Sequence, residues 1–158
     1  IDRIIQAFSI LKNNNINLLI VAPLYEKESL NDSRIIFVGK NKFLPHEDLA
    51  RLYRGAICFV FPSIEETFGM PILEAMSCAC PIITSDYSAC AEIAGNAGLL
   101  VNSLSVQDIR MAMETILKDF RLRELLIKRS RERSKIFSWE KSASEHLYIF
   151  NEVLKNTR

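Results

Sequence analysis

Five short apolar runs, each uninterrupted and set among helical stretches, limit this chain's fold more than any other feature. They are Leu18-Leu19-Ile20-Val21-Ala22, Ile35-Ile36-Phe37-Val38-Gly39, Ile57-Cys58-Phe59-Val60-Phe61-Pro62, Pro81-Ile82-Ile83-Thr84 and Gly98-Leu99-Leu100-Val101. A strand with one wet face alternates apolar and polar residues, whereas a continuous run implies that both faces are covered. Strands of this kind between helices require right-handed crossovers. The expected fold class is therefore α/β, a doubly wound parallel sheet of Rossmann-like type.

The helices announce themselves by spacing and by their first turns. Ile1, Ile4, Ile5, Phe8 and Leu11 share one face of an opening helix that Asn13-Asn14-Asn15 stops. Pro45 precedes Glu47 and Asp48, acids placed where the helix dipole favours them. Pro71 opens a helix through Met76, and Ser105-Val106-Gln107-Asp108 resembles a capping box ahead of Ile109, Met113, Ile116 and Leu117. Two further helices are expected at about Leu122–Ile136 and Glu140–Leu154, with Trp139 anchoring these last helices. Pro23 is expected to end the first strand.

With 158 residues the chain suits one domain. No apolar run approaches the roughly 18 residues that span a bilayer. No basic-then-apolar leader opens it, so the expected location is the cytoplasm or the cytoplasmic face of a membrane. Cys58, Cys78, Cys80 and Cys90 lack the spacing of a zinc site or a redox pair and read as reduced thiols, with Cys78 and Cys80 in the core. Near-neutral net charge hides two uneven segments. Residues 45–95 hold seven acids against Arg51 and Arg54, a balance of −5. Residues 121–135 hold seven bases against Glu124 and Glu132, a balance of +5, and read as a solvated helix face.

Several chemistries are excluded. The chain has no G-x-G-x-x-G, no P-loop, no H-E-x-x-H, no G-x-S-x-G and no Asp-x-Asp pair for a divalent ion. His46 reads as a surface or capping residue, and Met70 and Met76 as packing residues. Asn31-Asp32-Ser33 matches a glycosylation sequon by chance.

The informative stretch is Phe61-Pro62-Ser63-Ile64-Glu65-Glu66-Thr67-Phe68-Gly69-Met70-Pro71-Ile72-Leu73-Glu74-Ala75-Met76. A strand ends and a helix begins across one loop, at the carboxyl edge where doubly wound sheets bind ligands. Gly69 permits close backbone approach or positive φ. The helix start behind it favours an anion. Glu66 in the loop and Glu74, expected in the first helical turn, would repel a phosphate. Each suits vicinal hydroxyls instead, since a carboxylate accepts two hydrogen bonds at once. A nucleotide sugar has a diphosphate in the middle and polyols at both ends, so the sugar meets Glu66 and the ribose meets Glu74. The plain alternative leaves Glu66 as a surface residue and Glu74 as a complement to the helix dipole.

Glu66-Thr67-Phe68-Gly69-Met70-Pro71-Ile72-Leu73-Glu74-Ala75-Met76 resembles the E-x7-E signature of the retaining glycosyltransferases of family 4, written E-G-F-G-x-P-x-x-E-A-M. The resemblance continues in Phe37-Val38-Gly39, Pro45-His46-Glu47-Asp48-Leu49, Leu52-Tyr53-Arg54, Val60-Phe61-Pro62-Ser63, Pro81-Ile82-Ile83, Ala97-Gly98-Leu99-Leu100-Val101 and Phe137-Ser138-Trp139-Glu140. It implies that residues 1–158 form the C-terminal, donor-binding domain of a longer two-domain GT-B enzyme. That enzyme transfers a hexose from a UDP- or GDP-sugar with retention, without metal or cofactor. Glu66 is the expected catalytic carboxylate beside the transferred sugar. The backbone of Thr67, Phe68 and Gly69 meets its hydroxyls, Met70, Pro71 and Leu73 lie along the donor, and Glu74 holds the ribose. The loop Lys40-Asn41-Lys42-Phe43-Leu44 is a candidate nucleobase rim. Thr67 stands where the family has glycine, and Ser85-Asp86-Tyr87-Ser88-Ala89-Cys90-Ala91-Glu92 where it has a glycine-rich loop. The family's first strand, with its Gly-Arg and lysine, would lie ahead of Ile1. The expected partners are the nucleotide sugar, an acceptor glycan, lipid or small molecule bound by an N-terminal domain, and a peripheral membrane surface, with no nucleic acid. Two alternatives stand beside this: a nucleotide-sugar-binding module without turnover, and a GT-B-fold sugar-nucleotide epimerase.

Overall fold

The computed structural model describes residues 1–22, 32–39 and 42–156. Pro23, Asn31, Lys40 and Asn41 lie outside the described residues. In chain order the elements are α1 (Asp2–Ser9), β1 (Leu18–Val21), β2 (Ile35–Val38), α2 (His46–Gly55), β3 (Phe59–Phe61), α3 (Met70–Ser77), β4 (Ile82–Ser85), α4 (Ser88–Ala94), β5 (Gly98–Val101), α5 (Val106–Lys118), α6 (Phe120–Ser134) and α7 (Trp139–Asn156), with a short 3-10 turn before β5. All five apolar runs form strands, and every ladder is parallel.

The strands lie in two sheets, β1-β2 and β3-β4-β5, rather than the single sheet expected. Among the described residues no ladder joins β1 or β2 to β3, β4 or β5.

β4 is the centre of the molecule. Ile82 and Ile83 are both 0% exposed and, as strand neighbours, point to opposite faces. Ile83 joins Phe8, Leu11, Val101, Ile109, Met113, Ile116 and Leu126 in one core cluster. Ile82 joins Ile72, Met76, Cys80, Cys90 and Ile93 in the other. Burying an isoleucine fully is worth about 1.5–3 kcal/mol, so β4 contributes to both layers at once. The β1-β2 pair is covered on one face only. Leu18 and Ile35 pack on the first cluster, while Leu19 is 48% exposed and Val21 and Ile36 are also exposed, contrary to the expectation from continuous runs.

Helix boundaries follow their local chemistry. Ser105 caps α5 as expected, its hydroxyl oxygen accepting the Asp108 amide at 3.1 Å. Asp119 caps α6 through the Leu122 amide at 2.9 Å. α1 is shorter than its apolar pattern and ends at Ser9. Beyond it the Arg34 guanidinium donates to the carbonyls of Leu11 (3.1 Å) and Asn13 (2.9 Å).

Two expectations about the C-terminal helices fail. The basic stretch of α6 is not simply a solvated face. Arg129 donates to the Asn96 carbonyl at 3.2 Å, and Arg133 donates to the carbonyls of Ile93 (2.6 Å) and Glu92. Arg133 satisfies the end of α4, where helical carbonyls lack partners, and Arg129 satisfies one carbonyl of the 3-10 turn that follows. Trp139 anchors nothing: it is 76% exposed at the first position of α7, a helix with no buried residue. Among the described residues no helix is long and apolar enough to cross a membrane.

Candidate functional site

The loop from β3 to α3 is built from its ends inward. At the strand end, the Thr84 hydroxyl of β4 donates to the Phe61 carbonyl at 2.7 Å. The chain then turns, with the Ser63 amide donating to Phe61 at 2.9 Å and the Ser63 hydroxyl to the Glu65 carbonyl at 3.2 Å. At the helix end, Gly69 takes the left-handed conformation, φ +91°, and its carbonyl accepts the Ile72 amide at 2.9 Å. The positive φ favours glycine, and a Cβ at Gly69 would crowd Ile72 Cδ1 at 3.1 Å. No side chain caps α3. Its positive end is therefore left to whatever lies over Gly69.

Glu66 is half-buried, and its main chain is held from the start of α4. The Ser88 hydroxyl, at the start of α4, donates to the Glu66 carbonyl at 2.9 Å and accepts the Glu66 amide at 3.5 Å. Ser88 has φ +62°, a conformation that costs a non-glycine residue about 1–3 kcal/mol. Thr67 and Phe68 are exposed, with the Phe68 ring edge-on to Phe137 at 6.0 Å.

Glu74 is the fifth residue of α3, whose first turn holds no acid. The expected first-turn placement is thus corrected. The helix begins at Met70, and the carboxylate sits beyond the turn where the dipole acts. The dipole alternative loses its basis. Glu74 instead accepts a hydrogen bond from the Tyr53 hydroxyl of α2 at 3.3 Å. Burial, together with the Glu74 charge, pushes the Tyr53 phenol above its ordinary value, so it remains a donor.

The remaining expected site residues divide by burial. Met70 is 40% exposed and not a packing residue, whereas Met76 is 0% exposed. Pro71 lies in the first turn of α3, and half-buried Leu73 packs on the inner core cluster. On the candidate nucleobase loop, Lys42 and Phe43 are exposed and Leu44 is half-buried. His46, at the start of α2, is exposed. Cys80 and Cys90 are buried, Cys58 and Cys78 half-buried, and none is bonded to another. Burial pushes the thiols of Cys58 and Cys80 up to about 12, which leaves neither a ready nucleophile. Among the described residues no three histidine, cysteine, aspartate or glutamate side chains cluster as a metal site.

Tyr53 and Ser88 escaped the sequence reading. Tyr53 lay within the resemblance, in Leu52-Tyr53-Arg54, but one turn of helix gives no sign of which glutamate it meets. Ser88 stood where a glycine-rich loop was expected, and it has a positive φ of +62°.

Comparison with known proteins sets these residues in a family. The family model of group 1 glycosyl transferases matches residues 1–133. An O-antigen chain mannosyltransferase of Escherichia coli is 40% identical over 108 residues, covering 68% of this chain and 28% of that protein. A capsular polysaccharide biosynthesis glycosyltransferase of Staphylococcus aureus is 28% identical over 170 residues, covering 99% of this chain and 44% of that one. Among solved structures, a sucrose-phosphate synthase of Thermosynechococcus elongatus superimposes with a TM-score of 0.80 at 26% identity, over 98% of this chain and 42% of that one. The chain thus spans less than half the length of each of these relatives.

Proposed function

From the premise that this chain belongs to the group 1 glycosyl transferases, we propose that it forms the donor half of a retaining, metal-independent hexosyltransferase. Residues 1–158 are the donor-binding domain of a longer two-domain chain. The acceptor, a glycan or a glycolipid, is held by the other domain. The named mannosyltransferase relative makes a mannose donor the first to test, with GDP- and UDP-hexoses as the donor class. On the same reading the enzyme works in the cytoplasm or at the cytoplasmic face of a membrane.

The observation that carries this reading is the pair of glutamates bracketing left-handed Gly69, with Glu74 turned to accept from Tyr53. Glu66 lies beside the transferred sugar and acts on the reacting centre. The backbone of Thr67, Phe68 and Gly69 meets the sugar hydroxyls. Met70, Pro71 and Leu73 line the diphosphate side, and Glu74 accepts from the ribose hydroxyls. As the glycosidic bond to phosphate breaks, the anomeric carbon gains oxocarbenium character and negative charge grows on the leaving diphosphate. The uncapped positive end of α3 faces that charge, which it stabilises more in the transition state than in the ground state.

Calorimetric titration of the full-length protein with GDP- and UDP-hexoses tests the reading. Losing charge-assisted hydrogen bonds to the ribose costs about 1.5–3 kcal/mol, so Glu74→Ala should weaken donor binding about 10- to 100-fold. A folded protein that binds neither donor, or one indifferent to Glu74→Ala, would sink it.

A further inference from the structure

Glu74 does not stand alone in the structure, and what holds it bears on what it can recognise. The Tyr53 hydroxyl donates to Glu74 Oε2 at 3.3 Å, joining α2 to α3. The Tyr53 ring is itself seated: it meets Phe59 edge-on at 5.1 Å and 84°, and Phe59 stacks on Phe61 at 5.6 Å and 17°. Phe59 and Phe61 are the two ends of β3, the strand that leads into the Glu66 loop. One aromatic row thus runs from the strand that launches the loop to the carboxylate on the helix that ends it.

We propose that Tyr53 is a positioning residue that sets the rotamer of the Glu74 carboxylate for two-point recognition of the donor's ribose diol. The proposal rests on the reading that Glu74 binds ribose. A glutamate has three side-chain torsions, and freezing them on binding costs affinity unless they are already set. Tyr53 sets them at the expense of a single lone-pair site. A carboxylate has about four, so both oxygens keep acceptor capacity for a vicinal diol. The phenol donates and, with burial and the Glu74 charge opposing its ionisation, keeps its proton. It cannot compete for the ribose as a second acceptor while Glu74 holds it.

The test is a double-mutant cycle on the full-length protein, with Tyr53→Phe, Glu74→Gln and the double variant. Binding is measured for guanosine and uridine diphosphate and for their 2′,3′-dideoxy counterparts. Tyr53→Phe keeps the ring and its seat on Phe59, so thermal unfolding should shift little. Loss of one positioning hydrogen bond should weaken the ribonucleotide that binds by about three- to tenfold. The dideoxy nucleotide should be unaffected, and the effect should vanish in the Glu74→Gln background. Equal weakening of both nucleotides, or an effect that persists beside Glu74→Gln, would make Tyr53 merely structural and overturn the proposal. If Glu74→Gln alone leaves ribonucleotide affinity unchanged, the ribose reading itself falls and takes the proposal with it. If Glu74→Gln weakens binding while Tyr53→Phe does not, only the proposal fails.

Discussion

The Ser88 hydroxyl donates to the Glu66 carbonyl at 2.9 Å and accepts the Glu66 amide at 3.5 Å, so one side chain fixes the backbone of the glutamate nearest the expected sugar. It does so from φ +62°, a conformation that favours glycine. The clamp and the strain can be separated by substitution. Ser88→Ala keeps the strained backbone and loses both hydrogen bonds, a destabilisation of about 1–2 kcal/mol. Ser88→Gly loses the same bonds but relieves the dihedral, recovering about 1 kcal/mol of that loss. Urea unfolding of the three proteins should rank them wild type, Gly, Ala. Both variants should weaken donor binding, and a donor affinity unchanged in both would show that the clamp does not serve the site.

Gly69 provides the second expectation. Alanine there must adopt φ +91° with its Cβ 3.1 Å from Ile72 Cδ1, in a buried position. The strain, about 1–3 kcal/mol, is released only by moving the start of α3. Gly69→Ala should therefore lower the midpoint of urea unfolding and weaken donor binding together. Full stability with lost binding would mean that the glycine serves only close ligand approach.

Much of this was legible from the chain because it depends on local periodicity. The five strands follow from continuous apolar runs, and Ser105-x-x-Asp108 marks the start of α5 through a bond made within three residues. Where the expectations failed, contacts distant in sequence decided the outcome. α4 was not foreseen because Ser88-Ala89-Cys90-Ala91 has no apolar period and enters through a positive φ. The carbonyls at its end are satisfied by Arg133 and one in the turn after it by Arg129, more than 30 residues on, so charge density alone misread α6 as solvated. Glu74 was placed in the first turn because the helix was expected to open at Pro71, whereas left-handed Gly69 starts α3 one residue earlier, at Met70. Tyr53 meets Glu74 only once two helices are packed.

A pH dependence follows from Asp32 and Arg34. Their side chains pair at 2.7 Å, and the Arg34 hydrogen bond holds the Asp32 carboxyl below its ordinary value of 3.8. Since the folded value lies beneath the unfolded one, the stabilisation is fully present above the unfolded pKa and is lost as pH falls through the folded value. Stability should decline below about pH 4. Asp32→Asn should flatten that part of the profile while lowering the plateau at neutral pH. Urea midpoints from pH 2.5 to 7 check this, and an Asn variant with an unchanged acid slope would assign the slope to other carboxylates.

Arg133 and Gly95 carry the last expectation. The Arg133 guanidinium donates to the carbonyls of Glu92 and Ile93 and lies over the Phe137 ring at 5.7 Å. Gly95 sits beneath it with φ +51°, and a Cβ there would lie 2.6 Å from Arg133 Cζ. Removing the guanidinium leaves the end of α4 without its charged donors. Arg133→Ala should therefore cost about 1.5–3 kcal/mol, with the amides of α4 exchanging faster than those of β4. Gly95→Ala should cost at least as much, since it adds a collision to a dihedral that alanine adopts poorly. The two losses share one cause, the displaced guanidinium, so they should not add. In the Arg133→Ala background, Gly95→Ala should retain only its dihedral cost of about 1 kcal/mol or slightly more, leaving a coupling of about 0.5–3 kcal/mol. Urea unfolding of the four proteins measures that coupling. Strict additivity would mean that the guanidinium escapes the added methyl without giving up its carbonyls, and that α4 is held at this end by something other than Arg133.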